Sequence, residues 1–205
     1  MNYLAHLVLA GSDDDARLGN FLGDFVKGSL DSHRDRYSAA VLDGIKCHRE
    51  IDRFTDTHPV FRQSCRRLGP EFRRVSAIAM DLTYDHLLIA HWSQFMAQPF
   101  PEFVDAAYAL LQRRSSYLPP RLQQALPVMI RQDWLGSYAT WEGVELALVR
   151  VSRRMKRSDL LAQVWPAIAA CREDLAIDFL DFFPEAIAFV AARSQPGVDS
   201  KGKRE

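Results

Sequence analysis

His48-Arg-Glu-Ile-Asp52 and Asp81-Leu-Thr-Tyr-Asp85-His86 are the two stretches from which the fold and the chemistry of this chain are predicted. Both lie in patterns typical of amphipathic helices, and each contains a pair of polar residues four positions apart. Positions i and i+4 of a helix share one face, so His48 and Asp52 point the same way, and so do Asp81 and Asp85. Two helices in contact along these faces would bring imidazoles and carboxylates together.

The paired aspartates favour a bound cation. Like charges at i and i+4 repel one another, and the apolar neighbours of Asp81 and Asp85 indicate a mostly buried helix. Burying two carboxylates without compensation would cost several kcal/mol. Imidazole and carboxylate ligands without thiolate suit Mn²⁺, Mg²⁺ or Fe²⁺, and suit zinc less exclusively. Such a metal would activate water and polarise a phosphoryl oxygen. His86 points about 100° away from Asp85 and would join the site only from its flank.

Several other residues are candidates for the same site, and each has a simpler explanation. Asp24 lies in an apolar segment beside a glycine, where it is either a further ligand or a surface aspartate at a turn. Lys27, Arg49 and Arg53 flank the candidate ligands and would suit a phosphate, although any one of them alone is more often an ordinary surface base. His6 is either a core histidine or a ligand, and the core interpretation is slightly favoured.

Charge is balanced overall but clustered locally. Lys and Arg together number 26, as do Asp and Glu, so net charge indicates neither a nucleic acid nor a membrane partner. The first basic cluster is Arg62, Arg66, Arg67, Arg73 and Arg74, and the second is Arg150, Arg153, Arg154, Lys156 and Arg157. Each cluster is either a solvated helix end or a docking surface for an acidic partner.

Helical patterns separated by Pro and Gly breaks cover the chain, with no alternating strand pattern, repeat or linker. We predict an all-α single domain over residues 1–193, followed by a polar tail, 194–205, that is disordered. One long helix is predicted over residues 72–96. Pro184 is predicted to break or kink the last helix.

Three widely spaced cysteines and an N-terminus without a basic region argue for reduced thiols in a cytoplasmic protein. No apolar stretch approaches the roughly 18–20 residues that span a bilayer.

Four motifs in the first half of the chain match one family, in that family's order. The motifs are Met1-Asn-Tyr-Leu-Ala-His-Leu7, Gly19-Asn-Phe-Leu-Gly-Asp-Phe-Val-Lys-Gly28, Gly44-Ile-Lys-Cys-His-Arg-Glu-Ile-Asp-Arg-Phe-Thr-Asp-Thr-His-Pro59, and Asp81-Leu-Thr-Tyr-Asp-His-Leu-Leu88 with Trp92. Together they resemble the acyl carrier protein phosphodiesterase family. The resemblance implies a helical fold related to HD-type metal-dependent phosphohydrolases, with the motif order permuted.

The same resemblance implies a reaction, hydrolysis of the phosphodiester that links 4′-phosphopantetheine to a serine of holo-acyl carrier protein, with Mn²⁺ as the metal. It also implies a metal and catalytic centre, with His6 a weaker candidate. The residues of that centre are Asp24, His48, Asp52, Asp81, Asp85 and His86. Asp85 or Asp52 would position the attacking water, and Arg49, Arg53 or Lys27 would offset the developing charge. Acyl carrier proteins are small and acidic, which gives the first basic cluster a docking role.

Two other functions remain open. The chain could be an HD-like phosphohydrolase that acts on a small phosphodiester or a nucleotide. It could instead be a non-enzymatic helical module that holds an acidic partner, although that hypothesis leaves the paired aspartates unexplained.

Overall fold

The structure, a computed structural model, describes residues 1–153 and 159–194, and all of the regular structure in these two ranges is helical. The α-helices are α1 (Tyr3–Leu9), α2 (Asp14–Leu22), α3 (Ala39–Thr57), α4 (Pro59–Arg67), α5 (Ser76–Ala90), α6 (Trp92–Phe95), α7 (Phe100–Arg113), α8 (Pro120–Arg131), α9 (Trp141–Ser152), α10 (Asp159–Gln163), α11 (Trp165–Ala170) and α12 (Arg172–Ser194). Short 3₁₀ segments occur at 30–33, 70–72, 115–117 and 136–139. The predicted all-α fold is therefore confirmed for the part of the chain that is described.

Helix α5 is the centre of the fold. Nearly every residue from Ala79 to Leu88 is buried, which is the pattern of a helix covered on all sides. Helices α1, α4, α9 and α12 all pack against it. The polar residues Thr83, Asp85 and His86 consequently lie inside the protein, and each of them needs a partner.

Helices α2 and α3 pack so closely that only glycine fits at their crossing. A Cβ atom on Gly19 would lie 2.3 Å from the carbonyl oxygen of Val41 and 2.7 Å from the Cα atom of Gly44. Both helices begin with an ordinary cap, since Asp13 accepts from the backbone N–H of the third residue beyond it and Ser38 does the same. The close crossing fixes the position of α3, which carries His48 and Asp52.

Two predictions about helix boundaries are corrected. The helix predicted over residues 72–96 begins only at Ser76 and ends at Ala90, because His91 (φ −110°, ψ 21°) leaves the helical region before α6 starts. The last helix is not broken at Pro184, since α12 runs continuously from Arg172 to Ser194. Fully buried Phe182 and Phe183 before the proline and buried Ala186 after it hold this helix against the core, and that packing opposes the effect of the missing N–H.

The second basic cluster and the predicted tail fall largely outside the described residues. Arg150 and Arg153 lie at the end of α9, whereas residues 154–158 and 195–205 are not described. Within the described ranges, no helix is long and apolar enough to cross a membrane.

The crossing of α2 and α3 predicts a large effect for a single methyl group. Gly19→Ala should lower the free energy of unfolding by about 2–3 kcal/mol, because the new Cβ atom meets backbone atoms that cannot move aside. Urea denaturation measures the change. Ala77→Ser, which adds one atom at an exposed position of α5, is the control and should cost less than about 0.5 kcal/mol. Equal stability of the two variants would contradict the close crossing.

Candidate metal centre

Helices α1 and α3 bring two histidines and an aspartate together. The Nε2 atom of His6 lies 3.1 Å from one carboxylate oxygen of Asp52, and the Nε2 atom of His48 lies 3.1 Å from the other. The two imidazole rings are stacked, with 3.7 Å between their centroids. One ligand atom from each of these residues lies within 4.8 Å of the other two. Both imidazoles are buried, whereas 36% of the Asp52 side chain is exposed, so the cluster opens to solvent through its carboxylate.

The backbone of α2 fixes the orientation of His48. Its Nδ1 atom donates to the carbonyl oxygen of Asn20 at 2.7 Å, which leaves Nε2 to face the carboxylates. The ring lies directly against Gly23, where a Cβ atom would be 2.1 Å from it. The next residue, Asp24, has a carboxylate oxygen 3.5 Å from Nε2 of His48 and is 45% exposed. The sequence-predicted residues Asp24, His48 and Asp52 are therefore neighbours.

Charge coupling within the cluster favours one charged and one neutral imidazole. Burial alone would lower the pKa of His48, but its hydrogen bonds to Asp24 and Asp52 raise that pKa to about 9. Burial lowers the pKa of His6 to about 4, despite its hydrogen bond to Asp52. Burial would raise the pKa of the Asp52 carboxyl, but the two imidazoles hold it well below its usual range. The cluster thus contains a carboxylate that is ionised at every physiological pH.

Asp81 is linked to Asp52 of the same cluster by the positively charged α-amino group of Met1, which pairs with both carboxylates. The α-amino group of Met1 lies 3.1 Å from an oxygen of Asp81 and 3.3 Å from an oxygen of Asp52. Burial lowers the pKa of this amino group, but the two aspartates raise it to about 10. The pKa of Asp81 is itself raised by burial. A positive charge consequently lies between two carboxylates of the predicted site.

Asp85 and His86 face other parts of the protein. Both carboxylate oxygens of Asp85 accept backbone N–H groups from α1, those of Leu4 at 3.1 Å and Ala5 at 3.0 Å, and burial raises the pKa of Asp85 to about 7. The Nδ1 atom of His86 lies 2.8 Å from the carbonyl oxygen of Tyr138, and burial lowers its pKa. The structure does not bring His86 into the cluster of His6 and His48.

The three predicted phosphate-binding cations differ in their surroundings. Arg49 donates to the carbonyl oxygens of Val26 and Gly28, each at 2.9 Å, and so holds the loop that follows Asp24. Lys27 is exposed on that loop. Arg53 lines a separate groove between α3 and α12.

The first basic cluster is divided by the structure. Arg67 donates to the buried carboxylate of Asp178 and also pairs with Asp174, so it joins α4 to α12. Its other four members are exposed, and among the described residues none of them forms an ion pair with a carboxylate. Those four residues, called the arginine patch below, are Arg62, Arg66, Arg73 and Arg74.

A cavity lies beside two members of the arginine patch. It has a volume of about 380 Å³ and is lined by Arg66, Arg73 and Cys65. Burial, with a smaller contribution from the negative charge of Asp81, raises the pKa of the Cys65 thiol to about 11, so this thiol is un-ionised at neutral pH.

The donor set fits a divalent metal. Two imidazole nitrogens and a carboxylate oxygen converge without a thiolate, and Asp24 and Asp81 add negative charge at the edge of the group. Mixed nitrogen and oxygen ligands suit Mn²⁺, Fe²⁺ and Zn²⁺, whereas Mg²⁺ prefers oxygen alone.

His6 is the member of this cluster that sequence reasoning undervalued. It is separated from His48 by 42 positions, and nothing in the pattern of residues 2–10 shows which way its ring points. Its position beside Asp52 depends on how α1 packs against α3 and α5. The available signals were that a histidine stands in an otherwise apolar segment and that this segment is the first of the four family motifs, from which His6 was only a weaker candidate.

Comparison with known proteins gives one consistent match. The sequence model of the family described as acyl carrier protein phosphodiesterase matches residues 1–186. A protein of that name from Photorhabdus laumondii is 34% identical over 185 residues, which are 90% of this chain and 92% of the relative. One from Enterobacter sp. is also 34% identical over 185 residues, or 90% of this chain and 94% of the relative. One from Salmonella paratyphi A is 33% identical over 195 residues, or 95% of this chain and 100% of the relative. No solved structure matches the chain.

The raised pKa of His48 predicts how the stability of the metal-free protein depends on pH. A histidine whose folded pKa is about 9 contributes stability that is fully present below its ordinary pKa of 6.5 and is lost as the pH rises through 9. Between pH 6.5 and 8, the difference in unfolding free energy between wild type and His48→Gln should therefore shrink by about 1–2 kcal/mol. Urea denaturation in the presence of a chelator measures it. A difference that stays constant or grows would contradict the imidazolium assignment.

Proposed function

The chain belongs to the acyl carrier protein phosphodiesterase family, and from this membership we propose that it hydrolyses the 4′-phosphopantetheine–serine phosphodiester of holo-acyl carrier protein to give apo-acyl carrier protein. The observation that carries the proposal is the convergence of His6, His48 and Asp52 beside further carboxylates. A phosphodiester is anionic and resists attack, so it requires a cationic centre of the kind that this group of ligands would hold.

We assign the metal to the nitrogen atoms of His6 and His48 and to the carboxylate of Asp52. Mn²⁺ is the metal proposed, with Fe²⁺ and Mg²⁺ as alternatives. Mg²⁺ is the less suitable of these two alternatives, because it prefers oxygen ligands to imidazole. When bound, the metal supplies Lewis-acid chemistry, which polarises a phosphoryl oxygen and acidifies water. The carbonyl oxygen of Asn20 would keep the second nitrogen of His48 protonated and its ring oriented. Metal-binding roles for Asp81 and His86 remain predictions, whereas for Asp85 a role other than metal ligand is argued below.

Asp24 is proposed to orient the attacking water. Its carboxylate oxygen lies 3.5 Å from Nε2 of His48, so it stands beside a proposed metal ligand, where it can accept a hydrogen bond from water. Its side chain is also the more exposed of the two carboxylates that face His48. Arg49 holds the loop after Asp24. Lys27 lies on that loop, and its exposed ammonium group is a candidate to offset phosphate charge.

The arginine patch is proposed to dock the acidic carrier protein. Its four guanidinium groups are exposed, and the cavity lined by Arg66 and Arg73 lies near the thiol of Cys65, within electrostatic reach of Asp81. Arg67 is assigned a structural role instead, because Asp174 and Asp178 already neutralise it. Contacts of this kind raise the association rate and weaken as salt is added.

Metal dependence and the reaction can be tested in one experiment. Holo-acyl carrier protein incubated with the purified protein and Mn²⁺ should lose the mass of the 4′-phosphopantetheine group in a mass spectrum, and a chelator should prevent the loss. His6→Ala and Asp52→Asn should each lower kcat by at least about 100-fold, because each removes a proposed ligand. Cys47→Ala, which changes a buried neighbour of His48 on α3, is the control and should retain activity.

The same assay, extended to nucleotides and simple phosphodiesters, also separates the alternative functions. Cleavage of nucleotides or simple phosphodiesters as fast as holo-acyl carrier protein would favour a general phosphohydrolase. An unchanged carrier-protein mass with a folded, Mn²⁺-loaded protein would refute the proposed reaction. Binding of the carrier protein without cleavage, and without any bound metal, would favour the non-enzymatic module.

Charge reversal tests the docking surface. Arg66→Glu and Arg73→Glu should each raise KM for holo-acyl carrier protein at least about 5-fold at low salt and change kcat less than about 2-fold, because they alter encounter rather than chemistry. Arg131→Glu, the same charge change at an exposed position of α8, should leave KM unchanged. Steady-state kinetics at two salt concentrations measure the effect. An equal rise in KM for the control would show that net charge, not the arginine patch, governs docking.

A further inference from the structure

Asp85 is a fully buried carboxylate whose two oxygens are both used by the backbone of another helix. One oxygen accepts the N–H group of Leu4 at 3.1 Å, and the other accepts that of Ala5 at 3.0 Å. Its relative exposure is 0%. The first N–H groups of a helix have no partner within the helix, so a carboxylate that accepts two of them acts as a cap supplied from a distant part of the chain.

Helix α1 depends on this external cap. It has only seven residues, and the side chain of its own N-cap residue, Asn2, makes no capping hydrogen bond. Such a short helix is not stable alone, because nucleation costs more than a few hydrogen bonds return. Its position and rotation are therefore set by what it contacts, and Asp85 holds its first turn by two bonds at once.

The direction of α1 determines where His6 points. His6 follows Ala5 immediately, and its Nε2 atom lies 3.1 Å from Asp52 while its ring stacks on that of His48. A rotation of α1 by one residue would turn the imidazole about 100° away from these partners. Two hydrogen bonds to adjacent backbone N–H groups oppose such a rotation, because they fix both the position of α1 along its axis and its rotation about that axis.

We propose that Asp85 is a positioning residue, which acts on the metal centre through the backbone of α1 by fixing the orientation of His6. The proposal rests on the proposed function only in taking His6 as a metal ligand. It gives the aspartate of the second sequence motif a role other than ligand, and it explains why a carboxylate is kept in the most buried part of α5 without a cationic side chain. Among the described residues, its hydrogen-bond partners are backbone N–H groups.

A double-mutant cycle with Mn²⁺ affinity as the readout tests the role. Asp85→Asn keeps one acceptor oxygen and should weaken Mn²⁺ binding about 10-fold, and Asp85→Ala, which keeps none, should weaken it more. In a His6→Ala background, Asp85→Asn should change Mn²⁺ affinity less than about 2-fold, because the group that it positions is already absent. If Asp85 bound the metal itself, the two losses in affinity would add, and that result would overturn the proposal.

Thr83→Val is the matched control on the same helix. Thr83 is as buried as Asp85, and its hydroxyl donates to the carbonyl oxygen of Ala79 within α5 rather than to α1. This variant should lower the melting temperature and leave Mn²⁺ affinity unchanged. If it weakened Mn²⁺ binding as much as Asp85→Asn does, general destabilisation would explain the loss, and the positioning role would be refuted.

Hydrogen exchange on the wild-type protein provides a test that needs no variant to fold. The amide protons of Leu4 and Ala5 should exchange slowly, although both lie in the first turn of a helix, where exchange is ordinarily fast. Rapid exchange at both positions would overturn the anchoring. Failure to cleave holo-acyl carrier protein, with Mn²⁺ still bound and these amides protected, would refute the proposed reaction alone.

Discussion

The buried start of helix α1 is the constraint on which the site depends. Backbone N–H groups at a helix N-terminus must find acceptors, and those of Leu4 and Ala5 find them in Asp85, at the centre of the fold. The middle of helix α5 is buried, so the carboxylate of Asp85 can reach α1 without competition from water. The same arrangement places His6, a residue of α1, with its ring stacked on that of His48. The N-terminal segment therefore belongs to the site and to the core together.

Negative charge is concentrated where α1, α3 and α5 meet. Asp24, Asp52 and Asp81 lie close together, and the compensating charges in the metal-free protein are the imidazolium of His48 and the amino group of Met1. Both cations have raised pKa values, which shows that the carboxylates stabilise them. A divalent metal would compete with the proton on Nε2 of His48. Metal affinity should therefore increase with pH, as it does for other imidazole ligands.

Sequence periodicity was sufficient for interactions within one helix and insufficient for those between helices. The spacing of His48 and Asp52 predicted their shared face, and the structure places them 3.1 Å apart. The shared face predicted for Asp81 and Asp85 was equally sound as geometry, since both contact the first residues of the chain: Asp81 pairs with the amino group of Met1, and Asp85 accepts backbone N–H groups of α1. The rotation of a helix that lacks a polar face cannot be read from its own residues. For the same reason, the place of His6 depended on tertiary packing.

The balanced net charge of the chain conceals a local asymmetry that matters for a macromolecular substrate. Arginines and carboxylates that neutralise each other structurally, such as Arg67 with Asp178, contribute nothing to the field at a distance. The arginine patch has no such compensation among the described residues, and it lies on α4 and the segment that leads into α5, next to the helix that carries Asp81. An acidic partner drawn to this surface would be held beside the centre while its phosphodiester reaches the proposed metal ligands. A flexible phosphopantetheine arm with its phosphate at the surface of the carrier protein suits this separation of docking from chemistry. A compact anionic substrate such as a free nucleotide would gain little from a separate docking surface.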